Sequence, residues 1–304
     1  MIVTSVIVLT KNEAKNIGRC LDAIYSQKDV SPFEVVVIDS TSTDETLSIA
    51  RRYPVRIEQI PAESFHHART RNFGATLAQG RFLVYLAADA FPISTDWMAA
   101  LLANFSDPSV AAVYGRHVPK PGSTTERQDT LSAVYGQERI LKEPSRKQEL
   151  GYLYYFLSTV NAAIRKDVWE ATGFPEDLKF TEDVGIAKRI LDGGWKIVYE
   201  PVAAVYHSHD HSLKGLFKRY FDGGVARRQL GIWDSNTKAT MFRDGWHLLR
   251  RKLVLGNGNG GGESGRLFSV AQYAVKYAGM VLGRNEHLLP LALKRRMSAY
   301  RLFD

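Results

Sequence analysis

The stretch Arg81-Phe-Leu-Val-Tyr-Leu-Ala-Ala-Asp-Ala-Phe-Pro92 restricts the folds open to this chain more than any other. Residues 82–87 form a near-continuous apolar run of strand length. A half-solvated strand would alternate, so the run suits a strand buried on both faces of a parallel sheet. Asp89 follows, and Pro92, lacking a backbone N–H, cannot donate to a continuing ladder. A carboxylate therefore stands just past the carboxyl end of a buried strand, where open α/β sheets bind ligands. An Asp can also simply open a strand-to-helix turn, so its companions decide its meaning.

Those companions repeat the pattern. Residues 5–9 read as a first strand, and Ile17, Leu21 and Ile24 recur at helical spacing in a helix ending near Gln27. Residues 34–38 are again continuously apolar and end at Asp39. The turn Asp39-Ser-Thr-Ser-Thr-Asp44 is rich in side chains that cap helices, and Leu47, Ile49 and Ala50 lie on the helix expected next. Residues 55–60 make a third short strand. Strand and helix alternating at this spacing mean βαβ units and a parallel sheet. In the following helix, Gly74 and Ala75 permit close packing on the sheet. Arg69 and Arg71 sit near the start of that helix, where the dipole disfavours cations, which points to an anion close by. Residues 97–105 read as one more amphipathic helix.

Charge divides the chain. The net charge of +8 over 304 residues is carried by the last hundred, where residues 205–304 hold 17 Lys and Arg against 7 Asp and Glu. A basic end suits anionic partners, although it is also simply a solvated surface. The single cysteine, Cys20, excludes an intrachain disulfide and fits a reducing cytosol. The amino terminus lacks a basic leader and reads as a strand, and no uncharged apolar run reaches membrane-spanning length. No base-stacking motif is present, so nucleic acid is not an expected partner.

Further along, residues 110–114 read as a strand and residues 120–147 as a long loop with a helical piece near 131–141. Residues 153–164 are aromatic and apolar, and Trp169, Phe174 and Phe180 continue that character. Thr181 is placed to cap a helix whose first turn carries Glu182 and Asp183 and whose buried stripe is Ile186, Ile190 and Leu191, with Gly193 and Gly194 ending it. Residues 198–201 and 203–206 read as two last strands. They lead into His207-Ser-His-Asp-His211, whose imidazoles suit a transition metal. Alternate residues of a strand do not easily converge on one ion without a turn, so diphosphate hydrogen bonding and a structural cluster stand beside the metal reading. Lys218, Arg219, Arg227 and Arg228 follow among aromatics. Residues 256–262 read as a flexible linker, and residues 267–282 as an amphipathic segment for an anionic membrane surface or an oligomer contact.

Four segments in order resemble the family 2 inverting glycosyltransferases of the GT-A fold. They are Val6-Ile-Val-Leu-Thr-Lys-Asn-Glu13, Val36-Val-Ile-Asp-Ser-Thr-Ser-Thr-Asp44, Ala68 to Ala75 with its Arg-Asn pair, and Leu86 to Pro92. His66-His67, Ala88-Asp-Ala90 and His207-Ser-His209 are similar to the rhamnosyltransferase-like branch. The likeness runs from about residue 3 to 225. It implies that Thr10 and Glu13 border a nucleoside pocket, that Asp39 accepts from the base or ribose, and that Arg71 holds base or diphosphate. Asp89 corresponds to the surviving carboxylate of the Asp-x-Asp motif that presents Mg²⁺ or Mn²⁺ to the donor, the first Asp being Ala87 here. Asp183 takes the place of the general base, with Glu182 orienting it or the acceptor. Lys218 and Arg219 steady the leaving diphosphate, and His207 complements Asp89 as a metal ligand.

The expectation is an α/β chain with a GT-A domain over residues 1–225 and a helical basic extension over 226–304. It would move a sugar, L-rhamnose from dTDP-rhamnose, to a lipid-linked or polysaccharide acceptor in bacterial surface-glycan synthesis, at the cytoplasmic face of the membrane. A UDP-sugar donor and a catalytically silent nucleotide-sugar-binding protein are the alternatives, the second because Ala87 and Ala90 flank Asp89 so sparingly. Oligomeric state stays open.

Overall fold

The computed structural model describes residues 2–123, 134–209, 212–232 and 263–303. At its centre β1 (Thr4–Thr10) is flanked in parallel by β2 (Phe33–Asp39) and β4 (Phe82–Ala87), and β3 (Arg56–Gln59) lies parallel outside β2. Beyond β4 the directions mix. β8 (Asn161–Arg165) is antiparallel to both β4 and β6 (Val110–Val118), and β6 is parallel to β9 (Lys196–Tyr206). The short β5 (Phe91–Pro92) and β7 (Ile140–Lys142) run antiparallel to β9 and complete nine strands among the described residues.

The apolar runs are unbroken because both faces of the sheet are covered. Val6, Val8, Val84 and Leu86 pack on one side with Ile17, Leu21 and Ile24 of the helix Ile17–Tyr25 and Trp97 of the helix Trp97–Ala103. Their neighbours Ile7, Leu83 and Tyr85 pack on the other side, against Ala68 and Ala75 of the helix His67–Leu77 and Ile186 and Ile190 of the helix Glu182–Asp192. The two-residue period is thus present, with apolar partners in both directions. Gly74 allows the expected close approach, since a Cβ there would lie 2.7 Å from Cγ2 of Ile7.

Three local expectations change. The last two strands are one, β9, which absorbs Pro201 at a register shift opposite Gly115 and His117. Proline cannot donate to the ladder, so the chain bulges there and leaves Val202 59% exposed. Residues 140–142 are a strand on β9 rather than the end of a helix, and residues 131–133 of that expected piece lie outside the described residues. Thr181 precedes its helix in the left-handed region, at φ 61°, and its hydroxyl makes no cap. The expected linker at 256–262 and His211 also lie outside the described residues.

The basic end is joined closely to the domain. The helix Glu263–Arg284 packs on the helix Leu213–Gln229 with backbone against backbone. A Cβ on Gly283 would fall 1.9 Å from the carbonyl oxygen of Phe221, and one on Gly279 would fall 2.5 Å from that of Phe217. The boundary expected at residue 225 falls inside the helix Leu213–Gln229. The chain then turns through the helix Leu291–Met297 and comes back. The buried carboxylate of Asp222 accepts from the backbone N–H groups of Ala299 and Tyr300 at 2.7 and 2.9 Å. Lys218 donates to the carbonyl of Ser298 at 3.2 Å. Among the described residues no helix is long and apolar enough to cross a membrane.

Candidate functional site

A cleft of about 880 Å³ opens at the carboxyl ends of β1 and β4. One wall comes from two loops that bond each other. The backbone N–H groups of Asn12, Glu13 and Ala14 donate to Ser42, Thr46 and Asp44, at 2.8, 2.7 and 3.1 Å. The Ser and Thr of the second loop therefore bind the first loop, and Asp44 is the group that meets the N–H of Thr46 at 3.0 Å. Thr10, Glu13 and Ser40 line the cleft. The hydroxyl of Thr10 is buried without a partner, while Glu13 accepts from Asn16 at 2.6 Å. Asp39 is fully buried behind this wall, where it accepts from the backbone and hydroxyl of Ser42 and does not itself line the cleft.

Asp89 stands at the cleft floor among cations and imidazoles. Lys120 Nζ lies 3.4 Å from one carboxylate oxygen, His209 Nε2 3.5 Å from the same oxygen, and His207 Nε2 3.6 Å from the other. The two imidazole Nε2 atoms are 2.9 Å apart. One ligand atom from each of Asp89, His207 and His209 falls within a 4.8 Å span, a donor set of one oxygen and two nitrogens. The sequence did not bring His209 to Asp89, because residues two apart on a strand share a face but stand roughly 7 Å apart and do not converge. β9 ends at Tyr206, so the alternation stops and both rings turn inward. The His-x-His spacing directly after a strand end was the available signal. Burial first holds the His207 imidazole below its ordinary pKa, with the charges of His209, Lys120 and Arg219 acting the same way against Asp89. His117, buried beside it, is stacked on Tyr135 at 4.2 Å and is also shifted down by burial.

The second carboxylate centre lies at the start of the helix Glu182–Asp192. Arg71 donates to Glu182 Oε1 at 2.6 Å, and both side chains are largely buried. Arg69 meets Glu176 at 3.6 Å. The anions anticipated for this arginine pair are thus supplied by the chain itself. Asp183 lines the cleft and its Oδ1 accepts from the backbone N–H of Val184 at 2.8 Å. Burial, then the neighbouring charge of Glu182, raise Asp183 from 3.8 to about 7, against the pull of Arg71. A carboxyl near 7 is matched to proton abstraction at neutral pH. The left-handed backbone of Thr181 immediately before it, with a buried unpartnered hydroxyl, is the kind of local strain that the surrounding packing must hold in place.

Between these centres, Phe156, Ser158 and Thr159 line the cleft. That turn is fixed from beneath by Lys142, a buried lysine whose Nζ donates to the carbonyls of Leu153 and Phe156. Its burial pushes it well down from the ordinary lysine range. Of the two cations expected at a diphosphate, Arg219 lines the cleft and donates to the Tyr300 hydroxyl at 2.6 Å, whereas Lys218 is turned to the carboxyl-terminal backbone. Tyr300 itself, together with Gln272 and Lys276, reaches the cleft from the basic end, which periodicity alone gave no means of placing there.

Comparison with known proteins gives the family and the fold. The pattern described as glycosyl transferase family 2 matches residues 5–173. The chain is 31% identical to the O-antigen chain rhamnosyltransferase WbaN of Salmonella anatum, covering 92% of this chain and 88% of that protein. It is 30% identical to the O-antigen chain rhamnosyltransferase RfbN of Salmonella typhimurium, over 98% and 95% of the two chains. In fold it is similar to the mannosyltransferase PcManGT of Pyrobaculum calidifontis, solved with GDP-Man and Mn²⁺, at a TM-score of 0.61 and 21% identity over 92% of this chain and 86% of that one. The chain belongs to glycosyltransferase family 2 and has the GT-A fold.

Proposed function

We propose that the protein moves one sugar, L-rhamnose from dTDP-rhamnose, with inversion, onto a lipid-linked or polysaccharide acceptor during bacterial surface-glycan synthesis. Asp183 carries the reading, as a cleft carboxylate raised to about 7 in a cleft that also holds Asp89 with Lys120, His207 and His209. The choice of rhamnose is supported by the two O-antigen rhamnosyltransferases that match nearly the whole chain.

In this mechanism the nucleoside rests against Thr10, Glu13 and Ser40, and its diphosphate extends toward Asp89, Lys120 and Arg219. Asp39 acts from behind by fixing the loop through Ser42. Ionised Asp183 takes the proton of the acceptor hydroxyl as its oxygen attacks the anomeric carbon. The bond to the diphosphate oxygen breaks on the opposite face, and the nucleoside diphosphate leaves with that electron pair. Glu182 keeps Arg71 in place and raises the basicity of Asp183. The donor set of Asp89, His207 and His209 fits a divalent ion, and its two imidazoles favour Mn²⁺ over Mg²⁺. Such an ion supplies positive charge to the departing diphosphate.

The tail gives the acceptor side a surface to rest on. Leu288, Leu291 and Leu293 are 72, 52 and 41% exposed and adjoin Lys294, Arg295 and Arg296 on a helix end. Apolar side chains among cations suit an anionic bilayer. Flotation with phosphatidylglycerol vesicles should fall when these leucines become serine.

Calorimetric titration of nucleoside diphosphates and nucleotide sugars with Mg²⁺, Mn²⁺ or EDTA tests the main reading. The expected result is tightest binding of dTDP-rhamnose with Mn²⁺, with transfer that Asp183→Asn abolishes. A UDP-sugar as the tight ligand would move the donor assignment, and binding of no nucleotide would end the enzyme reading.

A further inference from the structure

The cleft has an aromatic rim that the family motifs do not account for. Phe65 and His67 come from the start of the helix His67–Leu77, Phe180 precedes the Glu182–Asp183 pair, and Tyr300 arrives from the carboxyl end. All four line the cleft and their rings run in series. Phe65 meets His67 edge-on at 4.9 Å, His67 meets Tyr300 edge-on at 6.2 Å, and Tyr300 is stacked on Phe180 at 4.2 Å with only 15° between the planes. Phe65 remains 37% exposed. A row of rings along one side of the cleft, open to solvent at Phe65, is costly in water and suits an occupant with an apolar face.

Tyr300 is held from three directions. Its backbone N–H donates to Asp222 at 2.9 Å, its hydroxyl accepts from Arg219 at 2.6 Å, and its ring lies on Phe180. The next residue is also anchored, since Lys179, adjacent to Phe180, donates to the carbonyl of Arg301 at 2.9 Å. A terminal segment is ordinarily poorly ordered unless it is tied down, and here a buried carboxylate ties it to the cleft edge. Arg219 is close enough to act electrostatically on both Tyr300 and His207, so its guanidinium links the rim with the centre at Asp89.

We infer that the carboxyl-terminal segment completes a carbohydrate subsite, in which the Phe180–Tyr300 pair stacks against a pyranose ring of the acceptor. A pyranose presents C–H groups on one face and hydroxyls at its rim, which suits an aromatic pair bordered by Arg219, whose guanidinium lies 5.5 and 5.9 Å from the Phe180 and Tyr300 ring centres. The side is set by the base. The acceptor hydroxyl must reach Asp183, and Phe180 stands three residues before it in sequence, whereas the nucleoside wall of Thr10, Glu13 and Ser40 lies on the other loops. This inference rests on the glycosyltransferase mechanism above, and Tyr300 acts in it as a specificity-determining residue that moves no proton.

Saturation-transfer NMR on the full chain with dTDP tests it, using the methyl glycosides of rhamnose, mannose, galactose and glucose as probes. The wild type should transfer saturation to one or more glycosides, through the C–H protons of one ring face. Tyr300→Leu, which keeps bulk without a ring, should reduce that signal at least fivefold, and Tyr300→Phe should retain it. The dTDP signal in the same tubes should persist in both variants and be equal between them, since both lose the same hydroxyl contact to Arg219. An undiminished glycoside signal in Tyr300→Leu, equal losses in Tyr300→Leu and Tyr300→Phe, or no glycoside signal from a wild type that binds dTDP would each overturn the subsite while leaving the donor site standing. A wild type that binds no nucleotide at all would instead remove the glycosyltransferase mechanism and this inference with it.

Discussion

Two carboxylates face the same cleft and are treated in opposite ways. Asp89 is surrounded by Lys120, His207 and His209, all within 3.6 Å. Among the described residues Asp183 makes no ion pair, and Arg71, whose charge acts on it, is bonded to Glu182. The first environment sets one ammonium and two imidazoles around the carboxylate, an arrangement that suits holding a divalent ion against a diphosphate. The second withholds solvent and counter-charge, raises the proton affinity to about 7, and suits a group that must accept a proton and release it again. Residue type is the same at both; the choice of neighbour separates the roles.

The largest effect should come from removing the base. Asp183→Asn should lower kcat by roughly 10²–10⁴-fold while nucleotide affinity measured by calorimetry stays put. A comparable loss of nucleotide affinity would dissolve the contrast between the two centres. Next, Asp89→Ala or His209→Ala should weaken Mn²⁺-dependent donor binding by at least the roughly 10–100-fold seen when outer partners of a metal site are lost. Titration with and without EDTA reads this directly, and unchanged Mn²⁺ dependence in His209→Ala would take His209 out of the ligand set.

The contrast can also be sharpened through pH. Activity under kcat/KM conditions should rise through about pH 7 as Asp183 ionises. Arg71→Met removes the charge that opposes this shift, so the rising limb should move to higher pH by on the order of one unit. A downward move would show that Arg71 does not act on Asp183. The same shift has a stability consequence of defined sign. Asp183 binds its proton more tightly folded than unfolded, so its contribution is full below pH 3.8 and is lost as pH climbs through about 7. Asp183→Asn should therefore have a higher Tm than the parent at pH 8 and a similar one at pH 4. The smallest expected effect concerns the tail. Gly283→Ala forces the helix Glu263–Arg284 off Phe221 and should cost about 1–3 kcal/mol in thermal melts. A separate, late-melting transition for the rest of the chain would show that the tail is its own unit.

The alternation of apolar strands with helices, the Asp residues at strand ends and the Glu-Asp pair at a helix start were all legible in the sequence. Each depends on local periodicity and on groups a few residues apart. Even there, local pattern could mislead. The Ser and Thr after Asp39 looked like helix caps, but they bond the neighbouring loop because the parallel pairing of β1 and β2 brings both loops to one end of the sheet. The inward turn of His209 required knowing that β9 stops at Tyr206.

The sequence by itself determined the parallel βαβ half, since unbroken apolar runs of strand length are stable only when covered on both faces. It also determined which residue types could do the chemistry. Tertiary structure alone decided which carboxylate gathers cations and which one is desolvated, because that depends on partners as far apart in sequence as Arg71 and Glu182, or Asp89 and His207. It likewise decided that the end of the chain belongs to the cleft. Asp222 and Tyr300 are joined by a hydrogen bond across 78 residues, and no periodicity reports a contact at that range.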